Sequence, residues 1–169
     1  AQNPFEALGL EPGFRLDPDA IQRAWLRKSA RLHPDRGGGA DDAGDEIARL
    51  NDAKRILEDP ESRGRALLDL LQPDSRHDER SLPEGFLVEM LEVREALEEA
   101  QEGGNERAIA DHEAWARERR ESHIRRVGEL FDAFQETGER SVLADLQREF
   151  NAWRYIERML EQLDPARDA

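Results

Sequence analysis

Pro34 interrupts a basic amphipathic run and strongly limits how the first part of this chain can fold. In the residues before it, apolar side chains recur at spacings of three and four, which is the period of one helix face. Because proline has no amide hydrogen and pushes the preceding residue out of the helical region, the helix must end there. Asp17 and Pro18 suit its beginning, as the capping residue and the first helical residue. The sequence therefore predicts a helix that ends in a stiff, charged turn, His33-Pro34-Asp35.

A second helix is predicted to pack against the first. It runs from about Asp45 to Glu58, and a short helix follows Pro60 to about Leu71. The side chains expected to face inward from the second helix are Ile47, Leu50, Ala53, Ile56 and Leu57. Helices of this length are marginal alone in water, so the two would share one apolar seam in a hairpin joined by the His-Pro-Asp turn.

The polar segment that follows is bounded by prolines and is the expected boundary between two domains. Beyond it, three long helical patterns cover about residues 84–102, 105–136 and 139–163. Their short glycine-containing connections require antiparallel neighbours. The predicted fold class is all-α. The expected parts are an N-terminal domain over residues 1–74, a linker over 75–83 and a three-helix domain over 84–169.

Composition narrows the possible classes of function. The net charge is −14, which argues against a general nucleic-acid binder because such a protein needs basic surface. There is no cysteine, which excludes disulfides, thiolate metal sites and a cysteine nucleophile and fits a reducing cytosol. No run approaches the roughly 20 apolar residues that cross a bilayer, and no apolar signal-peptide run appears near the N-terminus. We therefore expect a cytoplasmic protein that binds neither nucleic acid nor membrane.

Neither an enzyme nor a metal centre is expected. The chain has four histidines, His33, His77, His112 and His123, and their spacing does not match that of metal ligands. It also lacks a phosphate-binding loop, a nucleotide motif and a Ser/His/Asp arrangement. The sequence therefore predicts no catalytic residue, no cofactor and no bound metal.

The helix before Pro34 carries a basic face. Residues 20–34 contain four basic side chains and no acidic one, and three of these, Arg23, Arg27 and Arg31, recur every fourth residue. Such a patch on an acidic protein points to one acidic partner surface. Taken alone, however, the arginines favour a solvated helix surface, and the His-Pro-Asp tripeptide favours an ordinary helix end.

The surroundings of the tripeptide resemble a J domain, the module that stimulates ATP hydrolysis by DnaK-type chaperones. Residues 4–10, PFEALGL, resemble its short opening helix, and residues 50–60 resemble its third helix. The resemblance covers about residues 3–71. It implies that Arg23, Arg27 and Arg31 dock on an acidic patch of the chaperone's ATPase domain. It also implies contacts at the junction of the chaperone's nucleotide and substrate domains by His33, Pro34 and Asp35.

The helix predicted over residues 84–102 has two apolar stripes. The stripe expected to form the core consists of Phe86, Met90, Val93, Leu97 and Ala100. The opposite stripe consists of Leu87, Val88 and Leu91, interleaved with Glu92, Glu95 and Glu99. An apolar stripe that faces away from the core either binds a partner or is covered by another helix or by the N-terminal domain. The pattern leaves both interpretations open.

The last helix shows a similar arrangement. Its inward stripe is expected to consist of Leu143, Leu146, Phe150, Trp153, Leu160 and Leu163. Tyr155 is predicted to point roughly the other way. Tyr155 would then lie on a face that either contacts a partner or is covered by a second neighbouring helix.

A second resemblance extends over nearly the whole chain. Residues 86–98, FLVEMLEVREALE, resemble the segment that opens the C-terminal domain of HscB, the J-type co-chaperone of iron–sulfur cluster assembly. Arg63 with residues 66–68 also fits that family's J domain, whereas Lys54 replaces an aromatic residue. The resemblance implies binding of an IscU-type scaffold protein by Leu87, Val88, Leu91, Glu92, Glu95, Glu99 and Tyr155. Val88 stands where Met is more usual, and Tyr155 where Phe is common.

The expected function follows from the two resemblances together. It is a bacterial-type, non-enzymatic co-chaperone that stimulates the ATPase of a DnaK/HscA-type chaperone and delivers an IscU-type scaffold to it. One alternative is a J-domain co-chaperone whose C-terminal helices bind a different client. Another is a purely structural helical adaptor.

Overall fold

Two units, Ala1–Ser75 and Arg76–Ala169, make up the computed structural model of this chain. The structure describes residues 2–32, 40–73, 78 and 80–164. Within those ranges every regular element is an α-helix, so the all-α prediction is confirmed. The division between the units falls at the start of the segment predicted to be a linker.

The described helices of the N-terminal unit are α1 (Pro4–Leu8), α2 (Pro18–Ala30), α3 (Ala40–Glu58) and α4 (Pro60–Leu71). As predicted, Asp17 caps α2, because its carboxylate accepts a hydrogen bond of 3.0 Å from the Asp19 amide. Helices α1 and α2 both pack on α3. The core that they share includes the fully buried side chains of Phe5, Ile21 and Leu57. The predicted seam between the first two long helices is therefore present.

Helix α3 begins earlier than the sequence indicated. It starts at Ala40 rather than near Asp45 and carries Gly44 within its first turns. The expectation that Ile47 faces inward is wrong, because its side chain is 40% exposed. Nearly all side chains over 42–49 are exposed, whereas those of Leu50, Ala53 and Leu57 are buried. The prediction of a helix was correct. Among the described elements, however, other helices pack on the second half of α3, and its first part is mostly exposed.

The helices of the C-terminal unit are α5 (Phe86–Glu102), α6 (Glu106–Thr137) and α7 (Arg140–Leu163). Their ends are set by local signals. The Asn105 side chain caps α6 by accepting from the Ala108 amide at 3.1 Å. Gly138 ends α6 in the left-handed conformation at φ 64°. Because both connections are short, α6 is antiparallel to the helices on either side of it.

One apolar cluster joins the three helices. The predicted core stripe of α5 is confirmed, since Phe86, Met90, Leu97 and Ala100 are buried and Val93 is partly buried. The predicted stripe of α7 is confirmed in the same way, with Leu163 half-buried. Helix α7 is nevertheless buried over more of its surface than the sequence indicated. Its additional core residues are Ala152, Ile156 and Met159.

Asn151 attaches the segment before α5 to α7. Its amide nitrogen donates to the backbone carbonyls of Asp78 and Ser81, both at 2.7 Å. Its oxygen accepts from Gln147 Nε2 at 2.9 Å, one turn earlier on the same helix. Leu82 also packs against the apolar cluster. The described part of the predicted linker therefore lies on the C-terminal unit.

Candidate partner-binding surfaces

The basic face of α2 is open to solvent. Arg23, Arg27 and Arg31 are all exposed, and none of them forms an ion pair with another residue in the described ranges. Leu26 lies on the same side and is also exposed. Lys28, the remaining basic residue between residues 20 and 34, is half-buried. An unneutralised row of guanidinium groups is a suitable surface for an acidic partner.

His33, Pro34 and Asp35 follow this face directly in the sequence. Helix α2 ends at Ala30, and Arg31 and Leu32 form a turn. His33, Pro34 and Asp35 lie outside the described residues. The role predicted for them remains a prediction from the sequence.

The outer face of α5 combines exposed apolar and acidic side chains. Leu87, Val88 and Leu91 are 49%, 62% and 54% exposed. Beside them lie three exposed carboxylates, those of Glu92, Glu95 and Glu99. None of these carboxylates is paired with a cation elsewhere in the described part of the chain. We refer to these six residues as the α5 outer face.

The sequence had indicated that Tyr155 points away from the core of its helix, and this prediction is wrong. Its side chain is half-buried, and its ring meets the ring of Phe86 edge-on, with 5.7 Å between the centroids. The reason is that α7 packs on two neighbours. Ala152, Tyr155 and Met159 lie three or four residues apart and belong to the part of α7 that packs with α5 residues. Tyr155 therefore lies against Phe86, at the beginning of α5, rather than on a separate face.

Arg119 joins α6 to the beginning of α5. Its two terminal nitrogens donate to the two carboxylate oxygens of Glu89, at 2.6 and 3.1 Å. Its guanidinium group also lies 5.7 Å from the ring centre of Phe86 and 5.9 Å from that of Trp115. A bidentate pair of this kind fixes orientation as well as distance. Arg119 thus contacts the first turn of α5 both before and after Leu87 and Val88, at Phe86 and at Glu89.

Two further polar groups are buried between α6 and α7. Glu157 Oε1 accepts from Arg120 Nε at 2.6 Å and from Trp153 Nε1 at 2.8 Å. His123 Nδ1 lies 2.7 Å from Glu149 Oε1, and the His123 ring meets Phe86 edge-on. The ring contact of His123 with Phe86 connects this buried region to the beginning of α5.

Within residues 2–32, 40–73, 78 and 80–164, no three histidine or acidic side chains come together in a way that could hold a metal ion. No helix described there is long and apolar enough to cross a bilayer.

Comparison with known proteins identifies the family. The family model described as "DnaJ domain" matches residues 3–69, and the one described as "HSCB C-terminal oligomerisation domain" matches residues 82–164. The co-chaperone protein HscB homolog of Bordetella avium is 30% identical over 169 residues, which cover 96% of each chain. This chain belongs to the HscB family. It is a J-type co-chaperone, as the resemblance had predicted.

Other members of the HscB family support the same conclusion. The homolog of Azoarcus sp. is 31% identical over 176 residues, covering 99% of this chain and 95% of its own. The crystal structure of human co-chaperone protein HscB has a TM-score of 0.81 at 21% identity and covers 99% of this chain and 83% of its own. Chaperone HscB from Vibrio cholerae has a TM-score of 0.73 at 23% identity, with 99% and 98% covered. At these identities the two structures show a shared fold.

Sequence reasoning did not find the Arg119–Glu89 pair or the groups around Glu157. Charged residues make up 38% of the chain, so a pattern along one helix does not indicate which cation meets which carboxylate on another helix. The sequence contains only a weak indication of the pair with Arg119: Glu89 lies in the first turn of α5, one residue after the exposed Val88.

Proposed function

We propose that this HscB-family protein delivers an IscU-type iron–sulfur scaffold protein to a DnaK/HscA-type chaperone and stimulates ATP hydrolysis by that chaperone. The observation that carries the proposal is the α5 outer face, an exposed apolar surface on a helix whose opposite side is fully used in the core. Monomeric proteins rarely leave such surface without a partner. We place the activity in the cytoplasm and assign no catalytic step to this chain.

The chaperone would dock on the N-terminal unit. Arg23, Arg27 and Arg31 present positive charge on one side of α2, which favours an acidic surface and speeds association at low salt. His33, Pro34 and Asp35 follow directly in sequence and would act on the chaperone once α2 is docked. We assign the pairing role to Asp35, because a short carboxylate beside a proline loses little entropy when it binds a cation.

The scaffold would dock on the C-terminal unit. The scaffold's binding surface should be apolar at the centre, to match Leu87, Val88 and Leu91. It should be basic at the edge, to match the unpaired Glu92, Glu95 and Glu99. A second copy of this chain fits poorly, because two such faces would oppose carboxylate to carboxylate. Tyr155 would contribute at the side of the face, through its contact with Phe86.

We expect Asp35→Asn, and separately His33→Gln, to abolish stimulation of the chaperone's ATPase. By the J-domain resemblance these side chains act on the chaperone directly, whereas a short polar turn contributes little to the free energy of unfolding. The measurement is the rate of ATP hydrolysis by the purified chaperone with and without the variant, together with the thermal midpoint of the variant alone.

The matched control is Asp45→Asn, which removes a carboxylate from the exposed first part of α3. It should stimulate as the unmodified chain does. If Asp35→Asn stays folded and still stimulates, the proposed action on the chaperone is wrong.

We expect Leu87→Ala combined with Leu91→Ala to weaken scaffold binding about 30-fold, since apolar anchors at an interface typically contribute more than about 1 kcal/mol each. Both side chains are about half exposed, so the thermal midpoint should change little. The variant should still stimulate the chaperone when no scaffold is present. Tyr155 is left unchanged, because truncating a half-buried ring would also remove packing against Phe86.

Ile47→Ala is the control for this experiment, since it truncates an apolar side chain of similar exposure on the other unit. It should bind the scaffold normally. Unchanged scaffold affinity in a folded Leu87→Ala, Leu91→Ala variant would place the scaffold elsewhere. A variant that binds scaffold normally but loses a different client would favour the alternative function.

A further inference from the structure

The beginning of α5 lacks the side-chain cap that most helices use. Its N-cap residue is Gly85, at φ 79°, and no side chain bonds to the free amides of the first turn. The first turn of an uncapped helix frays readily. Yet this turn carries Leu87 and Val88, two of the three apolar side chains of the α5 outer face. The Phe86 amide donates to the Pro83 carbonyl at 3.1 Å and the Phe86 side chain is buried, so an interaction from outside the helix adds to these in holding the turn in place.

Arg119 supplies that interaction. It pairs with Glu89 through two hydrogen bonds and lies beside the Phe86 ring, so it contacts the residues on either side of Leu87 and Val88. Phe86 is buried, whereas the Glu89 and Arg119 side chains are 41% and 29% exposed. The pair is thus at the border between the core and the α5 outer face. Arg119 itself comes from α6 and is not one of the six residues of that face.

We propose that Arg119 is a positioning residue for the partner-binding face: it holds the first turn of α5 in helical form so that Leu87 and Val88 are ordered before the scaffold arrives. This inference rests on the proposed function of the α5 outer face. A surface that is ordered in advance binds more tightly, because the partner does not have to supply the cost of ordering it. Removing Arg119 should therefore weaken binding without removing any contact to the scaffold.

Arg119→Met is the central variant, because methionine keeps apolar contact with Phe86 and Trp115 while it removes the pair with Glu89. We expect scaffold affinity to fall about fivefold to tenfold, in line with the loss of one bidentate pair and of the cation–π contacts with Phe86 and Trp115. Stimulation of the chaperone without scaffold should be unchanged. The affinity is measured by titration calorimetry with the purified scaffold.

Hydrogen exchange provides a readout that needs no partner. The amides of Met90 and Leu91 bond to the carbonyls of residues 86 and 87, and these bonds close the first turn of α5. In Arg119→Met they should exchange at least about fivefold faster, whereas the amides in the middle of α7 should be unaffected. A general loss of protection, or unchanged exchange at Met90 and Leu91, would overturn the proposal.

Two further variants separate positioning from a general charge effect. Glu89→Gln should weaken binding, but by no more than Arg119→Met, which also removes the contacts of the guanidinium group with Phe86 and Trp115. The double variant should be no worse than Arg119→Met alone, because that substitution already removes the pair with Glu89. Additive losses would show that Arg119 does not act through Glu89. Arg126→Met is the control, since Arg126 is an exposed arginine of α6 that pairs only weakly, with Glu129 at 3.8 Å. It should bind as the unmodified chain does.

The outcomes also distinguish this inference from the proposed function. If Leu87→Ala with Leu91→Ala abolishes binding while Arg119→Met does not weaken it, the face is correct and the positioning role is wrong. If neither weakens binding, the scaffold does not use this face and both proposals fail.

Discussion

Replacing Glu157 by alanine is expected to lower the free energy of unfolding of the C-terminal unit by about 3–5 kcal/mol, the usual result of breaking a buried ion pair on one side. The Glu157 carboxylate is almost fully buried and accepts from both Arg120 and Trp153. Without it, a guanidinium group that is only 19% exposed is left with the exposed Glu121 carboxylate at 3.5 Å, and the buried indole nitrogen loses its acceptor. Urea unfolding, with hydrogen exchange followed at amides of α6 and α7, measures the change.

Two companion variants make this test specific. Glu161→Ala removes the next carboxylate along α7, which pairs at 3.5 Å with Arg154 and is about one third exposed, so the loss should stay below about 1 kcal/mol. Glu157→Leu combined with Arg120→Met should recover most of the stability, because no unpaired charge remains buried. The remaining deficit, about 1–3 kcal/mol, would come from the Trp153 indole. A loss of less than about 1 kcal/mol in Glu157→Ala would contradict this account.

In the N-terminal unit, Arg63→Met is expected to lower the free energy of unfolding by about 2–4 kcal/mol. Arg63 Nε donates to the Phe14 carbonyl at 2.6 Å, and its Nη1 donates to the Leu57 carbonyl at 2.7 Å. The Leu57 carbonyl belongs to the last turn of α3, where no amide of the same helix is available to it. Burial lowers the pKa of the Arg63 guanidinium, but an arginine stays charged near neutral pH. Its charge strengthens both hydrogen bonds.

The expected loss in Arg63→Met is measured by thermal and urea unfolding, with hydrogen exchange at amides of α3 and α4. Arg55→Met serves as the comparison, because Arg55 is 74% exposed and pairs only with Asp52 at 3.7 Å. That variant should fall within about 0.5 kcal/mol of the unmodified chain. Equal stability of the Arg63 and Arg55 variants would show that water replaces Arg63 as the hydrogen-bond donor to the Phe14 and Leu57 carbonyls.

Local signals made most of the helices predictable. Asp17 with Pro18, Asn105 and Gly138 each mark a helix end through a bond or a conformation within a few residues. The position of Leu87, Val88 and Leu91 on the side of α5 opposite its core also followed from the helical period. Whether another element covers them did not follow from it, and the structure shows them exposed.

The surroundings of Ile47 and Tyr155 could not be predicted in this way. The periodicity of one helix shows which residues share a face but not how many neighbours cover that helix, or along what length. Helix α7 packs on two neighbours, so Tyr155 is half-buried against Phe86. The beginning of α3 is less covered than its period suggested, so Ile47 is exposed.

The pairs that support the α5 outer face were missed for a different reason. Arg119 and Glu89 lie 30 residues apart, and both side chains have many oppositely charged candidates nearby in sequence. Which of them meet depends on how α6 lies along α5, and this is settled only when the apolar cluster forms.

The hydrogen bonds of Asn151 have a consequence for how uniquely this unit assembles. Three apolar helices can in principle slide along one another by a turn and still bury leucine against leucine. A slide of α7 would take the Asn151 amide away from the carbonyls of Asp78 and Ser81 and leave it buried without acceptors. Buried polar residues of this type fix the register of coiled coils in the same manner. Asn151 therefore penalises packings in which α7 is shifted relative to the segment before α5. Correctly folded molecules then all present the same surface of α5.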